Sequence, residues 1–470
     1  MRLRLELMLG LTLALSACAE FTPDAGMAPV ASAAQTQLGA APAKIASEQD
    51  AARARQDVDA LLREPLTADT ATRIALLNNR DLQAAFNDLG LAEVAAVAAG
   101  LPPNPKLSLA RLAGSANVEW ELKLLGDILA LATLPARREI ARIGFAQAQQ
   151  AAIAATFRTA WDANRAWIGA VAARQMAGEM AEARAAAAAT ADLMRRLGET
   201  GAATQLEQAR AGVALAEAGA QLAQARLAER AATERLIRAL GLWDQAPALR
   251  LPSRLPALPR QPDATANAET EAVRQRADLA MARLELTQAA RSLDLAEATR
   301  FVSVLELAGL GNWERNAGEK LNRGGVEIEL ELPIFDGGEV KRRREVETYM
   351  RALNRLTARA VMARSEARAA RDTYLGAHAI ALQYQRTVLP LRRIVAKETL
   401  LRYNGMLVDV FDLLTEARER VAARVAATEA QRAFFLAEID LRAAILGGGT
   451  ASAAESAPTT TPAPAAGGGH

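Results

Sequence analysis

The chain has 470 residues, 51% of them apolar and only 4% aromatic, with 56 basic and 54 acidic residues. This near balance of charge gives no reason to expect a nucleic acid as a partner. The sequence contains one cysteine and two histidines, His378 inside a predicted helix and His470 at the end of the chain. These numbers exclude an intrachain disulfide and make a cysteine or histidine metal cluster unavailable, so we expect no metal and no cofactor.

The N-terminus has the features of an export signal. A basic start is followed by an apolar stretch, Leu7 to Ala17, that is too short to cross a bilayer. The sequence "LSAC" that ends at Cys18 resembles the lipobox of bacterial lipoproteins. That resemblance implies a signal peptide over residues 1–17 and acyl chains, palmitate among them, on Cys18 at the start of a lipidated segment, residues 18–65. The alanine after Cys18 implies transfer to the outer membrane, and the alternative is an ordinary signal peptide with a chance cysteine.

The next segment predicts a helix, two strands and two long helices. A helix over residues 67–99 ends at "GLPPNP", because glycine and proline stop a helix. Two strands follow, "KLSLARLA" from Lys106 and "VEWELKLL" from Val118, joined by a short turn. The chain is then almost entirely helix-forming over residues 135–197, and after "LGETGAA" a second helix over residues 204–240 can fold back as an antiparallel coiled coil.

The same plan occurs a second time, which indicates a tandem duplication. "VEWEL" from Val118 recurs as "VEIEL" from Val326, about 200 residues later. We therefore expect a first repeat over residues 66–241 and a second over residues 264–446. A proline-rich linker, residues 242–263, joins them, and a low-complexity tail follows from residue 447.

In the second repeat the predicted strands are "RFVSVLELAGL" and "GVEIELEL". A long polar loop is expected between them, from Gly311 to Gly325. The following long helix starts at Glu339 and has a break or kink at Pro390. The return helix is expected to start near Asp412.

The strands have two unlike faces. Period-two alternation in "VEIELEL" puts aliphatic side chains on one face and glutamates on the other. A strand of an ordinary sandwich has the same pattern, but four strands cannot close a membrane barrel alone, so we expect several copies around one axis. The aliphatic face then contacts lipid, and the predicted lumen-lining residues are Glu119, Glu121, Lys123, Glu327, Glu329 and Glu331.

The tandem repeat, "LPIFDGGEV", "YNGMLVDVFDLLTEAR" and the lipobox together resemble the TolC family of outer-membrane efflux channels, lipoprotein branch. The resemblance covers about residues 66–446. It implies a mainly α fold with a membrane β-barrel, in which a homotrimer contributes four strands per chain to a twelve-stranded barrel. Long antiparallel coiled-coil helices continue it into the periplasm, where an adaptor protein and an inner-membrane pump dock.

The resemblance also implies functional positions in the two helix-to-helix turns. Gly201 and Gly405 mark the turns that contact the adaptor, at the periplasmic tip. Asp409 and Asp412 would form two rings at the aperture, with Tyr403 near the group that holds it shut. The second turn is about two residues shorter than the family pattern and lacks an expected arginine, so the lock of the gate is expected to differ. The alternative is a helix N-cap at Asp412 and a solvated Asp409.

No nucleophile elbow, phosphate loop or catalytic carboxylate pair stands out, so we do not expect an enzyme. Gly337 and Gly338 are interpreted as a strand-to-helix turn. Two functions remain: a passive conduit across the outer membrane and periplasm, and a non-conducting periplasmic scaffold lipoprotein. The stretch "DLGLAEVAAVAAGLPPNP" resembles channels of heavy-metal efflux systems, but the sequence does not name the cargo.

Overall fold

The computed structural model describes residues 21–114, 117–242, 249–263, 267–316 and 319–449. The predicted signal peptide, the lipidation site Cys18 and the tail from residue 450 lie outside the described residues.

The described chain is mainly helical, with four strands, and one order of elements occurs twice. In each half, helices precede a pair of strands, and long helices follow it. The N-terminal helices are α1 Ala28–Leu38 and α2 Glu48–Arg63. The first half contains α3 Ala68–Asn78, α4 Arg80–Gly100, β1 Lys106–Ala113, β2 Asn117–Asp127, α5 Ile128–Ala132, α6 Leu134–Glu199 and α7 Gln205–Ala239. The second contains α8 Ala268–Gln275, α9 Ala277–Ala298, β3 Val304–Asn316, β4 Glu319–Glu331, α10 Glu339–Gln383, α11 Leu389–Asn404 and α12 Val410–Leu446.

The helix predicted over residues 67–99 is two helices, α3 and α4, separated at Asn79. Asn79 has extended backbone angles, φ −67° and ψ 121°. Its side-chain oxygen accepts a hydrogen bond from the Leu82 backbone N–H at 3.0 Å, which caps α4. The prediction missed this break because the apolar periodicity continues across it.

The long polar loop predicted from Gly311 to Gly325 is wrong. Strands β3 and β4 stay paired through this stretch, with Gly311 opposite Gly324, and the ladder continues to Asn316 and Glu319. A Cβ at Gly311 would lie 2.9 Å from the Trp313 ring. Glycine here therefore leaves room for an aromatic neighbour and does not mark a turn.

The long helix of the second half has an irregular turn directly before Pro390. Residues Tyr384–Val388 form a π-helical turn between α10 and α11. Proline lacks a backbone N–H, and its ring clashes with the carbonyl of the preceding turn, so the ladder loosens at this point. The sequence predicted a break or kink at this proline.

The chain divides into two compact units, and both units take residues from both halves. The first unit contains the sheet and the helical segments next to it, residues 83–153 and 277–362. Small side chains fill much of its interior: Ala282, Ala289 and Ala296 are buried on α9 at seven-residue spacing, which suits closely packed helices.

The described residues of the second unit fall within 38–82, 154–276 and 363–449, and aromatic residues lie in its core. Phe434 is fully buried and stacks on Tyr374, with the ring centres 5.3 Å apart. It also contacts His378 edge to face, with the ring centres 5.4 Å apart. The Trp161 indole N–H donates to the Gly447 carbonyl at 3.1 Å. A ring nitrogen of His378 lies 2.9 Å from the carbonyl of Pro259, so this histidine packs against the linker.

A transmembrane helix needs about 20 predominantly apolar residues in succession to cross a bilayer, and this can be tested on the described helices. None of them has a stretch long and apolar enough to cross it.

Candidate functional site

The four strands form one antiparallel sheet in the order β1-β2-β3-β4. Residues directly opposite each other on neighbouring strands project to the same face. Glu121 lies opposite Asn312, and Ala308 opposite Glu327. This register puts the six predicted lumen-lining residues on one face, which we call the polar face: Glu119, Glu121, Lys123, Glu327, Glu329 and Glu331.

Side chains on the polar face pair with one another across strands. The Lys123 ammonium lies 2.9 and 3.0 Å from the two carboxylate oxygens of Glu327. The Asn312 amide donates to the Glu119 carboxylate. Lys123 therefore neutralises a specific carboxylate and is not a separate charge.

The polar face has more charged members than the sequence predicted. The same register adds Lys106, Glu306, Glu314 and Arg323 to it, with Lys106 3.8 Å from Glu306. Four leucines also lie on this face: Leu112, Leu125, Leu310 and Leu321. No clear sequence signal marks Glu306 and Glu314, because the glycines between them interrupt the alternation.

The opposite face, which we call the apolar face, exposes large hydrophobic side chains. Val326 is 74% exposed and Ile328 is 67% exposed. Trp120 and Trp313 are opposite each other near the hairpin end of the sheet. The exposed hydrophobic residues on this face are Leu107, Leu109, Trp120, Leu124, Leu307, Trp313, Val326, Ile328 and Leu330.

Both outer strands of the sheet have a free edge within the described chain. There, β1 pairs with β2 alone and β4 pairs with β3 alone. Each free edge leaves backbone N–H and C=O groups available for another strand.

The first helix-to-helix turn joins α6 to α7. Gly201 has φ +77°, a conformation that favours glycine, and the Ala202 N–H donates to the Leu197 carbonyl at 2.8 Å. Thr204 caps α7 and forms a capping box with Glu207. The backbone and hydroxyl of Thr204 donate to the Glu207 carboxylate, and these bonds lower its pKa, while the nearby charge of Asp409 opposes that shift.

The second turn joins α11 to α12, and it corrects two sequence-based expectations. Helix α12 begins at Val410, with Asp409 as the N-cap, so the start expected near Asp412 is too late. The Asp409 carboxylate accepts from the N–H of Phe411 at 2.7 Å and of Asp412 at 2.9 Å. The Asp412 carboxylate in turn accepts a hydrogen bond from the Asp409 N–H at 3.2 Å. The alternative that made Asp412 the N-cap is therefore also wrong.

The glycine of this turn does not adopt the left-handed conformation. Gly405 has φ −85°, and the following residue, Met406, takes φ +56° while 92% exposed. Tyr403 lies half-exposed in the last turn of α11, and its carbonyl accepts from the Met406 N–H at 2.9 Å.

The structure brings the two helix-to-helix turns together within the second unit. The Arg210 guanidinium of α7 lies 5.8 Å from the centre of the Phe411 ring of α12. Two turns further along, Arg418 pairs with Glu217 at 3.3 Å. Gly201, Gly405, Asp409 and Asp412 therefore lie at the same end of the same helix group. Among the described residues, no group of three or more histidines, cysteines or acidic residues could hold a metal ion.

The sequence matches no protein-family model and no curated protein. Solved structures are similar in fold. The CmeC outer-membrane channel of Campylobacter jejuni has a TM-score of 0.68 at 19% identity, over 81% of this chain and 86% of that one. The outer-membrane protein VceC of Vibrio cholerae has a TM-score of 0.67 at 17% identity, over 81% of this chain and 96% of that one. CusC, described in connection with transmembrane channel formation, has a TM-score of 0.65 at 18% identity, over 81% of this chain and 92% of that one. The chain has the fold of these proteins, which is the fold that the TolC-family resemblance predicted.

Proposed function

We propose that the chain is one protomer of a trimeric outer-membrane channel, a passive conduit that forms the outer part of a tripartite efflux or secretion system. The observation that carries the proposal is the two-faced sheet. Its exposed aliphatic face suits lipid, and its charged face suits a water-filled lumen. A non-conducting scaffold has no use for a sheet of this kind.

The dimensions of the apolar face support contact with a bilayer. The backbone from Val304 to Trp313 extends about 30 Å at about 3.4 Å per residue. A strand tilt of about 40° reduces that to about 23 Å, close to the apolar band of about 25 Å in outer-membrane barrels. Aromatic residues flank this band: Trp120 and Trp313 at one end, and Phe301, 66% exposed, just before β3.

The free edges of β1 and β4 support assembly of several copies. A closed barrel leaves no edge, and pairing β4 of one copy with β1 of the next satisfies both edges at once. Three copies provide the twelve strands that the family resemblance implies.

For the partners, we propose a periplasmic adaptor protein and an inner-membrane pump. The adjacent turns that contain Gly201 and Gly405 are the proposed adaptor contact, and Asp409, Asp412 and Tyr403 the proposed aperture. The channel itself does not need to choose the cargo, so the heavy-metal type suggested by the sequence stays an open prediction.

The test compares two arginine substitutions on neighbouring residues of β4 in the full-length protein. Ile328→Arg puts a cation on the apolar face, where it costs about 2–4 kcal/mol at mid-bilayer. Glu329→Arg is the control, because it introduces the same arginine on the polar face. We expect the parent and Glu329→Arg to insert into vesicles, migrate as heat-modifiable oligomers and conduct in planar bilayers. Ile328→Arg should fail to insert. A parent that inserts without conducting, or an Ile328→Arg variant that inserts normally, contradicts the proposal.

Lipid anchoring through Cys18 is a separate proposal with its own test. One acyl chain binds a membrane only marginally, whereas several chains together with an inserted sheet hold firmly. Replacing Cys18 with alanine should remove palmitate labelling and leave conductance unchanged. Label that persists on the variant rules out this site.

A further inference from the structure

Two arginines lie on the apolar face, both at its hairpin end, where the register also places Asn322 opposite Trp313 and Lys320 opposite Arg315. Arg111 of β1 is opposite Trp120 of β2, which is opposite Trp313 of β3. Arg315 of β3 lies in the next row of the same face, two residues beyond Trp313. Both arginine side chains are exposed. The arginines and tryptophans therefore form one patch across three neighbouring strands.

The patch combines cations with aromatic rings at close range. The Arg111 guanidinium carbon lies 5.7 Å from the centre of the Trp120 ring, a cation–π distance. Adjacent strands are about 4.8 Å apart, and successive residues on one face about 6.8 Å apart. Arg111, Arg315 and both tryptophans therefore lie within an area that a single lipid headgroup could contact.

No carboxylate shares this face among the described strand residues. The glutamates at the same end of the sheet, Glu119, Glu121 and Glu314, are on the polar face. On that face the Glu119 carboxylate accepts a hydrogen bond from the Asn312 amide. The positive charge of Arg111 and Arg315 is therefore not balanced on their own side of the sheet.

We propose that Arg111 and Arg315, with Trp120 and Trp313, form a binding surface for the phosphorylated headgroup of a lipid in the outward-facing leaflet. This inference rests on the proposed function, because it requires the apolar face to contact a bilayer. Guanidinium groups bind phosphate through paired hydrogen bonds. Tryptophan prefers the headgroup level of a membrane, where its apolar body and polar N–H are both satisfied.

The position of the patch favours a lipid over a soluble anion. It lies where the apolar band ends, at the hairpin end of the strands, so acyl chains on the band would bring their headgroups to the arginines. Arginine stems can lie along apolar surface while the charged ends reach polar groups. A soluble phosphate has no acyl chains to pack against the rings of Trp120 and Trp313, so it gains less from them than a lipid does.

The experiment uses the purified full-length oligomer and lipid A as the probe. Native mass spectrometry measures how much lipid A, dephosphorylated lipid A and phosphatidylcholine each protein retains. The test variant is the double substitution Arg111→Gln with Arg315→Gln. The matched control is Arg323→Gln, because Arg323 lies near the same end of the sheet on the polar face. Inorganic phosphate is added as a competitor, and bilayer conductance is recorded for every preparation.

We expect the parent and Arg323→Gln to retain lipid A at least tenfold better than its dephosphorylated form, a ratio worth about 1.4 kcal/mol. The double variant should lose this preference and still conduct. Arg111→Lys with Arg315→Lys, which keeps both charges, should retain part of it.

The inference is overturned if a conducting parent shows no preference for the phosphorylated lipid, or if Arg323→Gln loses the preference as fully as the double variant. Displacement of lipid A by millimolar inorganic phosphate would also overturn it, since it would indicate a general anion site. A parent that retains lipid A selectively without conducting would instead contradict the channel proposal and support the lipid surface.

Discussion

Asp409 is the N-cap of α12 and stabilises the start of this helix, independently of any role in an aperture. Its carboxylate accepts two backbone N–H groups, and Asp412 completes the capping box. The proposed aperture role requires charge, whereas the cap requires only a hydrogen-bond acceptor. The two roles can therefore be separated by substitution.

The first prediction separates them with asparagine and alanine. Asp409→Asn with Asp412→Asn removes both charges and keeps an acceptor at the N-cap, so stability should change by only a few tenths of a kcal/mol. Asp409→Ala removes the cap and should cost about 1 kcal/mol of local helix stability. If three copies of each aspartate line the aperture, a trivalent cation added on the periplasmic side blocks the parent current and not the asparagine variant. Equal block of both would assign the aspartates to capping alone.

The second prediction concerns the ion pair that joins α8 to α10. Arg368 contacts both carboxylate oxygens of Glu269 at 2.9 and 3.0 Å. This contact, helped by Arg364, lowers the pKa of Glu269 from 4.5 to about 2. Since the folded-state pKa is depressed, the stabilising contribution is present above pH 4.5 and is lost as the pH falls towards 2.

Glu269→Gln should therefore lower the melting temperature at pH 7, and the difference from the parent should shrink between pH 4.5 and 2. Glu271→Gln removes the same charge from the same helix and is the control. A difference that is independent of pH would show that the glutamine acts through packing.

At the scale of the elements, the turn from β4 into α10 depends more on Gly338 than on the neighbouring Gly337. Gly338 has φ +74°, and a Cβ there would lie 2.2 Å from the Arg300 carbonyl oxygen. Gly337 has φ +57° with no atom within 4 Å of an added Cβ. Arg300 also donates to the Gly337 carbonyl at 2.8 Å, which fixes the turn against the start of β3.

The third prediction compares alanine at these two positions. Gly337→Ala should cost about 1–2 kcal/mol, the penalty for the left-handed conformation alone. Gly338→Ala adds a backbone clash and should cost clearly more, because Arg300 must move away from the turn. Chemical denaturation of both variants in detergent measures the difference. Equal losses would indicate that the turn relaxes without strain.

The strands were predictable from sequence where side-chain alternation is unbroken, as in "VEIEL" and "VEWEL". The middle of β3 and β4 was not, since Gly309, Gly311, Gly324 and Gly325 resemble turn signals. In the structure these glycines lie in paired rows of the ladder. Whether a glycine ends a strand or makes room for a neighbour such as Trp313 depends on packing across strands, which local sequence does not contain.

The candidate site was predictable to a similar extent. The sequence and the family resemblance identified both helix-to-helix turns, and the structure brings them together. The alternative to the aperture role places the N-cap at Asp412 and not at Asp409, because each is an acidic residue at the end of the same turn and only backbone geometry separates them. The pairing of Lys123 with Glu327 joins residues 204 positions apart, so no local pattern could reveal it.

At the scale of the proposed trimer, the polar face predicts selectivity for cations. Carboxylates outnumber cations on it, and Lys123 is engaged by Glu327. The fourth prediction is that the parent channel prefers potassium over chloride, more strongly at low salt, where screening is weak. Lys123→Gln should strengthen this preference by freeing Glu327, and Glu329→Gln should weaken it. Reversal potentials in a potassium chloride gradient measure both. An anion-selective parent would contradict the orientation of the polar face, unless the aperture sets the selectivity.

The free edges of β1 and β4 also constrain how the protein can be made. A lone protomer carries four strands, half the number in the smallest membrane barrels, and cannot shield its backbone from hydrocarbon. In the proposed channel, insertion therefore has to follow the meeting of several copies and depends on an intermolecular encounter. If the proposal holds, we expect the yield of inserted protein to rise more steeply than in proportion to chain concentration. Unassembled chains should then need protection from edge-to-edge aggregation until their neighbours arrive.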